Sequence, residues 1–141
     1  MIPRPDCGML LKQIHDAIEK RANHDLKNSG LTLSQARFLM YLLERGESEI
    51  PAKDFESHFQ VSQPTVVGIL KRLEQKKLIV SSVDRLDRRI KNISLTSSGM
   101  ELCHREINHQ KQMEAMIVKN LSPEEIAAFR SALETVYENV R

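Results

Sequence analysis

The chain has 141 residues, of which 40% are apolar and 28% charged, with no internal repeat and no low-complexity segment, so one packed globular domain (1–141) is expected. No stretch approaches the ~18 consecutive apolar residues of a membrane span, and two cysteines, Cys7 and Cys103, are too few for a disulfide scaffold. Membrane and disulfide-framework proteins are thereby excluded, and a soluble chain in the reducing cytoplasm is expected.

In chain order, Met9, Leu10, Ile14, Ile18, Ala22 and Leu26 form a stripe at helical spacing. The spacing predicts a first helix with Asp6 as N-cap, ending near Asn28-Ser29-Gly30. Thr32 and Gln35 make a capping box for a second helix, which turns Leu39, Leu42 and Leu43 inward. A Gly46-Glu47-Ser48 turn then leads to a third helix.

Ser62 is a suitable N-cap for a fourth helix, and Pro64 falls in its first turn, where a missing N–H costs nothing. Val66, Ile69, Leu70 and Leu73 repeat at i, i+3, i+4, i+7 and predict a buried stripe. The opposite face collects Pro64, Thr65, Gly68, Lys71, Arg72 and Gln75. Small residues at the N-terminal end and cations farther along are what a helix entering the DNA major groove requires. Gly68 costs a helix about 1 kcal/mol relative to alanine, and close approach to DNA would explain it. A solvated amphipathic helix is the competing reading.

Ile79-Val80 and Ile90 to Leu95 are β-prone, with Ile93 and Leu95 alternating against Asn92 and Ser94. Between them lies a polar tip carrying Arg85, Arg88 and Arg89, so a two-stranded hairpin is expected. Guanidinium groups bind phosphate in a two-armed manner and enter narrow minor grooves favourably. Asp87 would repel DNA directly and is read as orienting a neighbouring arginine; a solvated charged loop is the alternative. Thr96 caps a long fifth helix running to about Asn120, and Ser122-Pro123-Glu124-Glu125 opens a sixth. The fold class expected is mainly α with a small β-hairpin.

The net charge of +2 conceals a partition. Eight of the 21 lysines and arginines lie between Ser62 and Lys91, against three of the 19 acids, so this segment carries +5 and the remainder −3. Such concentration is the electrostatic footprint of a phosphate-binding surface.

Asp87-x-Arg89, followed after five residues by Leu95-Thr96, resembles the D-x-R-x5-L-T wing signature of MarR-type winged helix-turn-helix regulators. The resemblance extends over nearly the whole chain, and in it Pro51 to Val61 looks like the first helix of the helix-turn-helix. It implies a DNA-binding lobe over 31–95, dimerisation helices over 6–29 and 96–141, and a homodimer on an inverted-repeat operator in double-stranded DNA, most simply as a repressor. The apolar residues Ile117, Leu121, Ile126, Phe129, Leu133, Val136 and Val140, more than a single small domain would easily cover, point to the same dimer, with a monomer folding its C-terminal hairpin back as the alternative. Lys77 departs from the family, since many relatives close the recognition helix with glycine there; lysine must accept a left-handed cap or a different helix ending.

The DNA-contacting set is therefore Ser62, Gln63, Pro64, Thr65, Gly68, Lys71 and Arg72 from the helix and Arg85, Asp87, Arg88 and Arg89 from the wing. Gln63, Pro64, Thr65 and Gly68 lie nearest the bases. The resemblance also implies a small aromatic or phenolic effector between the dimerisation helices and the DNA-binding lobe, for which Met40, Tyr41, Met100, Met113 and Met116 are the candidates; at helical spacing methionine is more often ordinary core filling.

Some relatives sense peroxide through an N-terminal cysteine, and Cys7 stands beside a helix N-terminus that would favour a thiolate, with Asp6 opposing it. The histidines His15, His24, His58, His104 and His109 are scattered, with His104 and His109 at the wrong spacing for two ligands on one helix, so no metal site and no cofactor are expected. No catalytic motif is present, and an enzyme is not expected. A winged helix used for protein contact, and a redox- or metal-sensing regulator of the same fold, are the alternatives.

Overall fold

The computed structural model describes residues 3–46 and 49–141, so the Glu47 and Ser48 of the expected turn lie outside the described residues. The chain forms two compact units, Met1–His109 and Gln110–Arg141.

The first unit opens with helix α1 (Cys7–Leu26), whose N-cap Asp6 accepts the Met9 N–H at 2.7 Å. A single 3-10 turn over Lys27–Ser29 ends at Gly30, which takes φ +70°. Helix α2 (Leu33–Glu44) starts on the complete Thr32–Gln35 capping box. Ile50–Pro51 form a short strand β1, and helix α3 (Ala52–Phe59) follows directly.

The helix expected from Pro51 to Val61 starts one residue later, at Ala52, because Ile50 and Pro51 pair with the wing instead, and it stops at Phe59, where Gln60 turns into the left-handed region. A two-residue strand has no periodicity by which a sequence could announce it. Helix α4 (Gln63–Gln75) is followed by strands β2 (Ile79–Val83) and β3 (Lys91–Leu95). The expected two-stranded hairpin is thus a three-stranded antiparallel sheet in the order β1-β3-β2.

The core of this unit lies where α2, α3 and α4 meet the sheet. Phe38, Leu39, Leu42, Ile50, Phe55, Val66, Leu73, Ile79 and Ile93 are almost wholly buried. Aromatic packing ties α2 to α3: the Phe38 ring centroid is 4.8 Å from that of Phe55, and Tyr41 stacks on His58 at 4.0 Å. The α4 stripe behaves as its spacing requires, with Val66, Leu70 and Leu73 buried and Ile69 packed against the core at its edge. Helix α5 (Ser97–Ile117) begins in this unit, capped by the Thr96 hydroxyl, which accepts the Gly99 N–H at 3.0 Å.

The second unit holds the end of α5 and helix α6 (Pro123–Val140), which starts on the Ser122–Glu125 capping box. Helix α5 ends at Ile117, short of the expected Asn120, and Asn120 takes φ +67° in the connecting turn. Asparagine tolerates that left-handed conformation better than most residues, so the turn can close around it. No residue of this unit is buried, and Leu133, Val136 and Val140 are exposed. No described helix is long and apolar enough to cross a membrane.

Candidate nucleic-acid interface

The turn between α3 and α4 fixes how α4 is presented. Gln60 ends α3 in the left-handed region at φ +54°, and its side-chain amide donates to the Ser57 carbonyl at 2.7 Å. Two residues later, the Ser62 hydroxyl accepts the Thr65 N–H at 3.4 Å and lies 2.9 Å from the Thr65 hydroxyl. A short turn between two capped helices leaves little freedom in the angle of the second helix.

On the exposed side of α4 stand Gln63, Pro64, Thr65, Lys71 and Arg72, as expected, together with Gln75. Gly68 is half-buried, and a methyl group built on it would meet no atom within 4 Å. Nothing inside this chain therefore requires a glycine there. Lys71 and Arg72 make no ion pair among the described residues. Lys76, which contributes to the charge of the same segment, is turned away: its ammonium donates to the Gly30 carbonyl and, at 2.9 Å, to Gln35 Oε1. Sequence reasoning passed over Val67, an aliphatic residue 55% exposed on α4. The i−4 and i+4 spacing to Gln63 and Lys71 carried the signal.

The helix closes at Lys77, which adopts φ +60°, the left-handed ending that a lysine in place of glycine has to accept. Its N–H donates to the Glu74 carbonyl at 2.9 Å, and the next N–H, of Leu78, donates to the Leu73 carbonyl at 3.1 Å. The wing thus leaves a helix end of the kind glycine usually makes.

In the wing, β2 and β3 pair from Ile79 with Leu95 to Val83 with Lys91. Asp84 organises the tip. Its Oδ2 accepts the N–H groups of Leu86 and Asp87, both at 3.0 Å, and its Oδ1 accepts from the Asn92 amide, also at 3.0 Å. Hydrogen bonds from Asn92 and from these two N–H groups hold the Asp84 carboxyl below its ordinary pKa.

Asn92, expected on the solvent side of an alternating strand, is instead buried, because its amide also donates to Glu49 Oε2 at 3.3 Å. Both roles follow from long-range pairing, although an aspartate two residues before a turn N–H is an Asx-turn signal that was legible for Asp84.

Asp87 clasps Arg89 with both oxygens: Nε donates to Oδ1 at 3.1 Å, and a terminal nitrogen donates to Oδ2 at 3.2 Å. The Arg89 side chain and backbone N–H together depress the Asp87 pKa. Arg85 and Arg88 are exposed and make no ion pair among the described residues. Leu86, between Arg85 and Asp87 on the tip, is 99% exposed. Helix face and wing tip therefore offer cations on a frame that is capped and hydrogen-bonded from within.

The remaining candidates lie on other elements. Tyr41 is buried against Phe55, His58 and Phe59, Met40 is half-buried beside it, and Met100 is exposed early in α5. Met113 and Met116 belong to the second unit. None of the five lines the cleft of about 800 Å³ in the first unit, whose walls include Ser29, Lys76, Arg105, Glu106 and His109.

Cys7 is exposed as the first residue of α1, whereas Cys103 is buried and its thiol is pushed up to about 11 by burial, with the Glu106 charge adding to the effect. No group of three or more His, Cys, Asp or Glu side chains converges on a metal position among the described residues.

A sequence model of the MarR family matches residues 29–90, which span α2 to the wing. The S. aureus MepR–DNA complex is 30% identical over 97% of this chain and 100% of that one, with a TM-score of 0.93. S. aureus MepR in its DNA-binding conformation superposes with a TM-score of 0.85 at the same identity and coverage. The transcriptional regulator SlyA is similar in fold, with a TM-score of 0.87 at 23% identity over 96% of this chain and 94% of that one. No curated protein matches the chain by sequence. The likeness to MepR over its full length, with the family pattern falling on the helix-turn-helix and wing, makes this chain a member of the MarR family of winged-helix transcription regulators.

Proposed function

We propose that the protein is a sequence-specific DNA-binding repressor that reads a pseudopalindromic operator as a homodimer. Helix α4 enters the major groove, with Gln63, Pro64, Thr65 and Gly68 nearest the bases and Lys71 and Arg72 on phosphate or guanine. Arg85, Arg88 and Arg89 work from the wing on the adjoining minor groove, with Asp87 aiming Arg89. The observation that carries this reading is that Lys71, Arg72, Arg85 and Arg88 are exposed, without ion pairs among the described residues, on elements whose own polar groups are satisfied. The DNA complex of MepR supports it by analogy.

The dimer rests on apolar side chains that this chain leaves in water: Met9, Leu10 and Ile14 on α1, and Leu133, Val136 and Val140 on α6. Apolar side chains left exposed at helical spacing on each of these helices mark association faces.

Selection of bound sequences from a random DNA pool tests the reading, repeated with oxidant, zinc and a phenolic acid to find an effector. The expected result is an inverted repeat whose binding weakens steeply with salt, by a logarithmic slope of about −0.9 per phosphate neutralised. Arg89→Ala is expected to weaken binding, and Gln63→Ala to change the selected motif. A pool with no enriched sequence, or binding indifferent to salt, would refute the proposal.

A further inference from the structure

Val67 presents an isopropyl group to solvent in the middle of α4, 55% exposed. The folded chain gains little from it. A β-branched residue on an exposed helical position is less favourable than alanine by a few tenths of a kcal/mol, and a side chain more than half uncovered returns little through burial. Its neighbours on the same helical face are Gln63, one turn before, and Lys71, one turn after, both exposed. The core stripe through Val66, Leu70 and Leu73 runs alongside, and Val67 stands at its solvent margin.

Among the base edges of the major groove, only thymine offers an apolar group, its C5-methyl. We infer that Val67 reads a thymine by packing against that methyl, adding an apolar term to the polar readout around it. This rests on the proposal that α4 enters the major groove. A glutamine one turn away suits the adjoining position, since its amide can bond adenine N6 and N7 together, so Val67 and Gln63 would favour an A/T-rich step. The half-buried, methyl-free position at Gly68 allows the backbone close enough for so short a side chain to reach.

The experiment uses the full chain and the operator obtained by selection. Each symmetric pair of thymines is replaced in turn by deoxyuridine, which keeps the base pairing and removes only the methyl. For one pair, wild-type affinity is expected to fall about fourfold per half-site, the value of one buried methyl group. Val67→Ala is expected to bind the thymine operator more weakly by a similar factor and to be indifferent to deoxyuridine at that pair, with its thermal unfolding no lower than wild type. Wild-type binding unchanged by every deoxyuridine pair would overturn the inference, as would a Val67→Ala protein that keeps the same deoxyuridine penalty. Failure to select any operator would instead overturn the DNA-binding reading itself, so the two failures are distinguishable.

Discussion

Ser29 and Glu106, 77 residues apart in the chain, meet through a 2.5 Å hydrogen bond in which the serine hydroxyl donates to Oε1. The other carboxylate oxygen lies 2.7 Å from His109 Nδ1, and the glutamate is only 8% exposed. A carboxylate in a cleft wall that exchanges a protein donor for water loses about 1 kcal/mol, the net value of one hydrogen bond. Ser29→Ala is therefore expected to lower the unfolding free energy by about that amount. Urea unfolding at fixed protein concentration checks it, and an unmoved midpoint would show that the pair contributes nothing.

Two glycines should respond in opposite ways to the same change. A methyl built on Gly99 would stand 2.1 Å from the Leu78 carbonyl oxygen, a backbone atom that cannot step aside, whereas Gly68 opens on empty space. Gly99→Ala is expected to destabilise by about 1–3 kcal/mol through overpacking. Gly68→Ala should stabilise α4 by about 1 kcal/mol and yet weaken operator binding, since the added methyl meets DNA rather than protein. Melting curves and binding isotherms on both variants separate the two effects, and tight operator binding by the Gly68→Ala protein would remove the close approach.

The wing tip should be sensitive to acid. Asp84 and Asp87 both have depressed pKa values in the folded chain, so their contribution is present above the unfolded carboxylate range, about 4, and is lost as pH falls through their lower folded values. At pH 6 the N–H groups of Leu86 and Asp87 are expected to be protected from exchange, and that protection should be lost as the pH falls below the ordinary carboxylate range. Asp84→Asn should show weakened protection already at pH 6. Equal exchange for the variant and the wild type would mean that the carboxylate does not order the tip.

The two cysteines should differ sharply as nucleophiles. Cys7 is exposed, while Cys103 is buried with its thiol raised to about 11, and only thiolates react. An aromatic disulfide reagent at pH 8 is expected to titrate one thiol in the native protein and both after denaturation. A Cys7→Ser protein that still reacts rapidly would contradict the burial of Cys103.

Much of this architecture was legible because helix ends are announced locally. Thr32 with Gln35, Ser62, Thr96, and Ser122 with Glu125 are caps whose geometry depends on three or four neighbouring residues. The clasp of Asp87 on Arg89, two residues apart, was readable for the same reason. What escaped depends on distant partners. Ile50 is a strand residue only because Ile93 lies opposite it, and Asn92 is buried only because Glu49 and Asp84 take its amide protons. Val67 lies at the margin of a stripe defined by its buried members, and periodicity alone does not say how much of a marginal side chain water reaches.

The root of the wing sets what can vary in such a protein. The Thr96 hydroxyl donates to the Lys77 carbonyl at 2.7 Å, and the Thr96 N–H donates to the Leu78 carbonyl at 3.1 Å, so the hairpin leaves and returns at one point. Beyond the pairing of Ser82 with Asn92, no residue of the tip belongs to the buried core. A lineage can therefore exchange, shorten or lengthen that tip without disturbing the helices on either side, and, under the DNA-reading role proposed for it, meet a new operator on an old fold.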